Sequence, residues 1–150
     1  MMKKITSTTN YTYDDNSNIT LIKNGADSRI FEYNNANLLK RVYNKNSYGL
    51  SMEYTYAYNP DGNIKSSVWT DTAETFAEYE YDSANRLLRE EYSGDAANFE
   101  TNYTYDEFGN IRTKSYSDEN SAKYVTSYYY DKNNRLIDEI KKCWKCTLWI

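Results

Sequence analysis

The chain has 150 residues, a formal net charge of −4 at pH 7, 18 tyrosines and no histidine. Its length fits one domain or part of a larger one, and its mean hydropathy of −0.95, without any apolar run near the roughly 18 residues of a spanning helix, predicts no membrane span. The high aromatic content argues against disorder. The Lys and Arg residues are scattered and form no basic stripe, which argues against nucleic-acid binding. The lack of histidine excludes the commonest general base, His-containing nucleophile pairs and His-containing zinc sites.

The first segment, residues 1–10, is expected to be a lead-in to the fold. Lys3 and Lys4 are followed by no apolar stretch, so the sequence predicts no secretory signal peptide. The sequence leaves the cellular compartment open.

Residues 11–140 consist of six similar units, and such internal repetition decides the architecture before any local motif does. The first aromatic residue of each unit defines position zero. These residues are Tyr11, Phe31, Tyr56, Tyr79, Tyr103 and Tyr128, at spacings of 20, 25, 23, 24 and 25 residues. Odd units end in Asn-Ile and even units in Arg-Leu or Leu-Leu, which adds a two-unit period of about 47 residues.

Four further positions keep one residue type, or closely related types, in all six units. Position two is tyrosine: Tyr13, Tyr33, Tyr58, Tyr81, Tyr105 and Tyr130. Position three is Asp or Asn: Asp14, Asn34, Asn59, Asp82, Asp106 and Asp131. Position six is Gly, Asn or Ser: Ser17, Asn37, Gly62, Asn85, Gly109 and Asn134. Position eight is Ile or Leu: Ile19, Leu39, Ile64, Leu87, Ile111 and Leu136.

These positions predict a β-hairpin tip in each unit. A type I turn favours Asp or Asn at its first residue, Pro at its second and Gly at its fourth. Position three supplies the first residue, Pro60 falls at the second, and position six supplies the fourth. Gly and Asn tolerate the positive φ that ends a three-residue hairpin loop. Turn-capping is therefore the preferred role of the Asp and Asn residues at position three, since one such residue per turn does not supply the several converging oxygens that calcium needs.

The predicted tip also fixes the register, because position two then faces position eight. The expected pairs include Tyr81 with Leu87, Tyr105 with Ile111 and Tyr130 with Leu136. Each such pair contributes roughly 0.2–1 kcal/mol. By strand alternation the first aromatic shares this face, and mostly Thr, Glu and Ala occupy the other.

We expect the tyrosine face to be the core of the sheet, because little else is left to bury; a stacking platform for sugars is the alternative. The predicted fold is all-β, an open or spiralling antiparallel meander of hairpins with about twelve strands.

The acidic pairs predict no active site. Glu90 and Glu91 are neighbours in a strand and point to opposite faces, whereas Glu78 and Glu80 share a face that is expected to be solvated. Carboxylate pairs as common as these carry little specificity for acid–base chemistry. We therefore expect no enzyme activity, no catalytic residue, no metal and no cofactor.

Residues 141–150 leave the repeat pattern and are expected to form an irregular tail. Cys143 and Cys146 have the C-x-x-C spacing, but the βαβ context of a redox motif is absent. Two cysteines also supply only half of the ligands of a structural zinc site. Pairing of these cysteines across two chains stays open.

The stretches YTYDEFGNI, YEYDSANRL and YYYDKNNRL resemble the YD repeats of the Rhs family, whose pattern is approximately Tyr-x-Tyr-Asp-x-x-Gly-x-Leu. The resemblance extends from Tyr11 to about residue 140. The family includes bacterial Rhs and wall-associated polymorphic toxins, the encapsulating subunits of Tc toxins and animal teneurins. It implies a long β-sheet that spirals into a hollow shell, often around a C-terminal toxin, in proteins that are typically secreted or on the cell surface.

For this chain the resemblance implies a non-enzymatic segment of such a shell. Its expected partners are further YD repeats of a parent chain, or other copies that bind through the sheet edges. The sequence has no Asp-Pro-x-Gly-Leu-like motif of the kind linked to aspartyl self-cleavage in the family, and six units are too few to enclose a cavity. Self-cleavage and toxicity are therefore not carried over, and the chain is expected to be part of a larger shell.

The alternative function is a carbohydrate- or cell-wall-binding repeat module, with a glycan as its partner. Choline-binding repeats also have a period near 20 and many aromatics. They depend on Trp and Gly, however, of which this chain has only 3 and 5.

Overall fold

The structure, a computed structural model, describes residues 7–95, 98–119 and 123–144. The chain divides into two compact units, Met1–Glu74 and Thr75–Ile150. All regular secondary structure in the described ranges is β-strand, and these ranges contain no helix.

Each unit holds three hairpins in chain order. The strands of the first unit are β1 (Thr9–Tyr13), β2 (Ile19–Asn24), β3 (Asp27–Tyr33), β4 (Leu39–Lys45), β5 (Ser51–Tyr58) and β6 (Ile64–Thr70). Those of the second are β7 (Glu74–Tyr81), β8 (Leu87–Gly94), β9 (Phe99–Tyr105), β10 (Ile111–Asp118), β11 (Lys123–Tyr130) and β12 (Leu136–Cys143). Within each unit neighbouring strands pair antiparallel in chain order, so the predicted all-β meander of about twelve strands is confirmed.

The strands begin and end slightly outside the predicted repeat region. β1 starts at Thr9, two residues inside the expected lead-in, and β12 continues to Cys143, three residues inside the expected tail. Cys146 lies outside the described residues.

The hairpin tips have the predicted turn geometry. In the fifth hairpin the N–H of Gly109 donates to the carbonyl of Asp106 at 3.1 Å, which closes the turn. The Asp106 carboxylate accepts two further backbone N–H groups, from Phe108 and Asn110, each at 2.9 Å. Position six has a positive φ in all six hairpins: Ser17 (67°), Asn37 (62°), Gly62 (86°), Asn85 (60°), Gly109 (87°) and Asn134 (58°). The left-handed corner predicted from the Gly and Asn residues is therefore confirmed.

The register follows the prediction in all six hairpins, since each position-two tyrosine lies opposite its position-eight aliphatic. The pairs are Tyr13 with Ile19, Tyr33 with Leu39, Tyr58 with Ile64, Tyr81 with Leu87, Tyr105 with Ile111 and Tyr130 with Leu136. Directly after position eight the second strand contains one extra residue, a β-bulge at a place that was not predicted from the sequence. The bulged residues are Thr20, Lys40, Lys65, Leu88, Arg112 and Ile137.

The tyrosine face is a half-buried surface, which corrects the expectation that its rings form a buried core. Among the described residues only Ala77, Thr101 and Thr126 are buried. Each lies two residues before the first aromatic of its hairpin, on the tyrosine face. Within a unit all strands belong to one sheet, so the rings are covered by their neighbours on the same face and by no second described layer.

Candidate functional site: the junctions between hairpins

The bulge at position nine ends the backbone pairing between one hairpin and the next. At each junction described within a unit, the pair nearest the tips joins position ten to the residue just before the next hairpin's first aromatic. These pairs are Leu21 with Ile30, Arg41 with Thr55, Arg89 with Asn102 and Thr113 with Ser127. Beyond them the hairpins separate towards their tips, and the position-eight carbonyl receives no backbone partner from the next strand.

The position-two tyrosine of the following hairpin fills this gap and bonds that carbonyl. The four hydroxyls donate across the four junctions: Tyr33 to Ile19 O at 3.1 Å, Tyr58 to Leu39 O at 2.6 Å, Tyr105 to Leu87 O at 2.7 Å and Tyr130 to Ile111 O at 3.0 Å. Partial burial raises the pKa of the Tyr58 and Tyr105 hydroxyls. The recurring tyrosine therefore has two roles. Its ring packs within its own hairpin, and its hydroxyl donates a hydrogen bond to the position-eight carbonyl of the preceding hairpin.

In the four tips whose position-three residue is Asp, the side chain at position seven donates to that carboxylate. In hairpins one and five the donor is an amide, as where Asn110 Nδ2 donates to Asp106 Oδ2 at 3.0 Å. In even hairpins four and six it is a guanidinium, as where Arg86 Nε donates to Asp82 Oδ2 at 2.6 Å. These bonds, with the backbone N–H groups of the turn, lower the pKa of the carboxylates at Asp14, Asp82, Asp106 and Asp131.

Position seven also contacts the following hairpin. The Arg86 guanidinium lies 4.5 Å from the ring centroid of Tyr105, within the range of a cation–π contact. In the first unit Asn18 Nδ2 donates to Asn37 Oδ1 at 2.5 Å, and Asn110 Nδ2 donates to Asn134 Oδ1 at 3.2 Å in the second. The two-unit period in the sequence thus corresponds to two kinds of tip-to-tip contact.

The opposite face carries the same two-unit period as arginine clusters. Arg41 bonds Glu32 at 2.8 Å in its own hairpin and Glu53 at 2.7 Å in the next. Arg89 occupies the corresponding place in the fourth hairpin and bonds Glu100 of the fifth at 2.8 Å. These ion pairs lower the pKa of Glu53, while Asn102 and then Arg89 lower that of Glu100. Neither cluster was predicted from the sequence, although arginine at position ten of the second and fourth units was a visible signal.

The second unit carries a row of aromatic rings across its tyrosine face. Neighbouring centroids are 4.5–6.4 Å apart along the series Tyr79, Tyr92, Phe99, Tyr116 and Tyr124. These separations suit stacked and edge-on aromatic pairs. The row crosses five strands, so it adds contacts at right angles to the hairpin axes and ties successive hairpins together.

A charged group lies beside this aromatic row. The Tyr103 hydroxyl donates to Glu90 Oε1 at 2.7 Å, and Lys114 Nζ lies 5.5 Å from the Tyr103 ring centroid. Burial, followed by the bond to Glu90, raises the pKa of Tyr103. Glu91 points to the other face and pairs with Arg89, as the alternation predicted.

Open clefts lie between neighbouring tips and at the loop end of the first unit. The cleft between the fifth and sixth tips has a volume of about 1040 Å³ and includes Phe108, Arg112 and Tyr129 among its lining. The loop-end cleft of the first unit has about 870 Å³ and includes Arg29, Leu50 and Met52. Glu78 and Glu80 are both exposed, as expected for a solvated face.

Cys143, the last residue of β12, is disulfide-bonded. No group of three or more His, Cys, Asp or Glu side chains in the described ranges is placed to hold a metal ion. A search of the same residues found no helix with the length and apolar character to cross a membrane.

The fold has a solved counterpart. No protein-family model and no curated protein matches the sequence. Among solved structures, the chain is similar to one described as the crystal structure of TcdB2-TccC3-TEV, with a TM-score of 0.70 and 18% sequence identity. The match covers 85% of this chain and 8% of that chain, so this chain spans a small part of its neighbour's length. At this identity the likeness shows a shared fold, an antiparallel sheet of successive hairpins.

Proposed function

We propose that the chain is a non-enzymatic structural segment of a YD-repeat β-shell of the Rhs type, the kind of wall that encapsulates or displays a secreted toxin. The observation that carries this proposal is the constancy of the junction. Four junctions share one backbone register and one tyrosine-to-carbonyl bond, although the sequences around them differ.

A constant junction suits a wall because every hairpin has the same two edges: one that pairs with the preceding hairpin and one that pairs with the following hairpin. Stability in such a protein is a sum over units and their nearest-neighbour contacts, so a wall of any length can be built from the same parts. The single-sheet units and the similarity of the fold to TcdB2-TccC3-TEV support this role. Further YD repeats of a parent chain are the partners that the proposal implies.

A chimera tests this function. Residues 9–143 would replace six consecutive hairpins in the wall of an Rhs-family shell protein that encloses its own C-terminal polypeptide. We expect closed particles in electron micrographs and protection of the enclosed polypeptide from added protease, as in the unaltered shell. A wall function would be contradicted if the chimera shows the circular dichroism of a β-sheet but its enclosed polypeptide is digested as fast as the free polypeptide.

A second candidate function, binding of a carbohydrate or cell-wall glycan, is favoured by one observation. Phe108 and Tyr129, which line the cleft between the fifth and sixth tips, are 69% and 49% exposed. Exposed aromatic faces beside polar side chains suit the apolar faces of sugars. This candidate predicts retention on a glycan array that Phe108→Ala and Tyr129→Ala abolish. Tyr48→Ala is the control, since Tyr48 is 89% exposed and lies outside the cleft. No retention on any glycan would reject this candidate.

A further inference from the structure

We propose that copies of this chain join head to tail, β12 of one copy pairing with β1 of the next, in the register and with the tyrosine-to-carbonyl bond of the internal junctions. The inference rests on the proposed function, because a wall segment has to accept a further hairpin at each of its edges. The partner it names is a second copy of the chain, acting as that further hairpin.

The two edges carry complementary halves of one junction. On β1, Tyr13 is a position-two tyrosine with no described strand before its hairpin, and its side chain is 60% exposed. Its hydroxyl has no hydrogen-bond partner among the described residues, in contrast to Tyr33 and Tyr58. On β12, Leu136 is the position-eight residue, 52% exposed, and no described strand follows to supply a tyrosine. The hydroxyl of one edge thus matches the carbonyl of the other.

The internal junctions specify how the edges align. In each of them position ten pairs with the residue before the next hairpin's first aromatic. Applied to the edges, this rule pairs Asp138 with Asn10 of the next copy and Glu139 with Thr9. Both strands are regular in this region and differ in charge. β1 has no charged residue, whereas β12 has Asp138 and Glu139 followed, after Ile140, by two lysines. No like-charge pair therefore arises across this junction.

One side chain restrains the association. The Asp138 carboxylate accepts the N–H of Glu139 at 2.9 Å. Glu139 forms a cross-strand pair with Tyr128 that lies between hydrogen-bonded pairs, so its N–H points away from β11 towards the open edge. Asp138 therefore covers the donor that an incoming β1 would use, which is one of the ways in which proteins protect an edge strand. Removal of this carboxylate should strengthen the joining of copies.

Sedimentation velocity over a hundredfold range of concentration tests the inference with substitutions of opposite effect. Asp138→Ala should shift self-association to at least fivefold lower concentration, and Asp138→Asn, which keeps an accepting oxygen, should shift it less. Glu139→Pro removes the outward N–H and should abolish association, whereas Glu139→Ala keeps it. Circular dichroism of each variant checks that the sheet is intact. A chain that stays monomeric in both wild-type and Asp138→Ala forms overturns the inference.

Crosslinking identifies which edges meet. Chains carrying Asn10→Cys and chains carrying Asp138→Cys would be treated with a short bismaleimide without reductant, so that Cys143 stays in its disulfide. We expect crosslinked dimers only when the two chains are mixed. Dimers of either variant alone, which would show β1–β1 or β12–β12 pairing, overturn the head-to-tail arrangement. The shell chimera tests the wall function within one polypeptide and does not depend on association between copies. If the copies fail to associate, the outcome of the chimera experiment still decides the wall function.

Discussion

The junction bond makes a quantitative prediction for Tyr105→Phe. The substitution removes the hydroxyl that donates to Leu87 O at 2.7 Å and keeps the ring that faces Ile111. A neutral hydrogen bond contributes about 0.5–1.5 kcal/mol to stability, and an acceptor left without a partner and without water adds to the loss. Leu87 is half-buried, so water reaches its carbonyl in the variant, and we expect a loss of about 1 kcal/mol.

The assay for Tyr105→Phe is urea unfolding followed by far-UV circular dichroism, combined with hydrogen exchange of peptides that cover β8 and β9. Local exchange is needed because the chain has two compact units, and a single two-state transition is not assured. Tyr129→Phe is the matched control, since Tyr129 is half-exposed and its hydroxyl has no hydrogen-bond partner among the described residues. If the two variants lose the same stability, the hydroxyl does not hold the junction and the reasoning is refuted.

Three further predictions concern the turns and the ion pairs. Gly109→Val should lower the unfolding free energy by at least about 1 kcal/mol because φ is 87° there, while Gly109→Asn should lower it much less, since Asn134 adopts 58° at the same position. Equal melting temperatures for these two variants would contradict a backbone cause. The lowered pKa of the Asp106 tip carboxylate gives stability above about pH 4 that is lost as pH falls through the folded value. Hydrogen exchange at pH 2.5–5 should therefore show the Asp106 tip loosening before the Asn59 tip, which has no carboxylate to protonate. Asp106→Asn should reduce this difference, and simultaneous loosening would argue against the assignment. Arg89→Met should lower the unfolding free energy by about 0.5–1 kcal/mol, which is what a partly exposed ion pair contributes. The difference from wild type should shrink in 1 M NaCl because salt screens the charges. A loss of stability that does not depend on salt would indicate lost packing instead of lost charge.

The turns and the register were predictable because each depends on a residue type with a specific backbone preference. Asp or Asn opens the turn, Gly or Asn tolerates the left-handed corner, and strand alternation then places Tyr105 opposite Ile111. These are local effects over nine residues, and six copies reinforce them. The sequence therefore determined the hairpin tip almost completely.

The bulge at position nine was not predictable, because its residues share no chemistry: threonine, two lysines, leucine, arginine and isoleucine occupy it. A residue in the extra position of a strand is free of the ladder, so the side chain is not constrained. The tyrosine-to-carbonyl bond depends on that bulge and was missed with it. The half-exposure of the tyrosine rings was not predictable either. Composition shows which side chains are apolar enough to be buried, but it does not show whether a second layer covers them.

The most direct measurement of the central claim, that identical junctions join interchangeable hairpins, is the stability of a lengthened chain. Inserting a second copy of residues 79–127 after Ser127 adds two hairpins and preserves the alternation of odd and even units. We expect an unchanged β-sheet spectrum and a urea midpoint equal to or higher than that of the original chain, since each added hairpin brings a complete junction. A lower midpoint, or loss of the sheet spectrum, would contradict this claim.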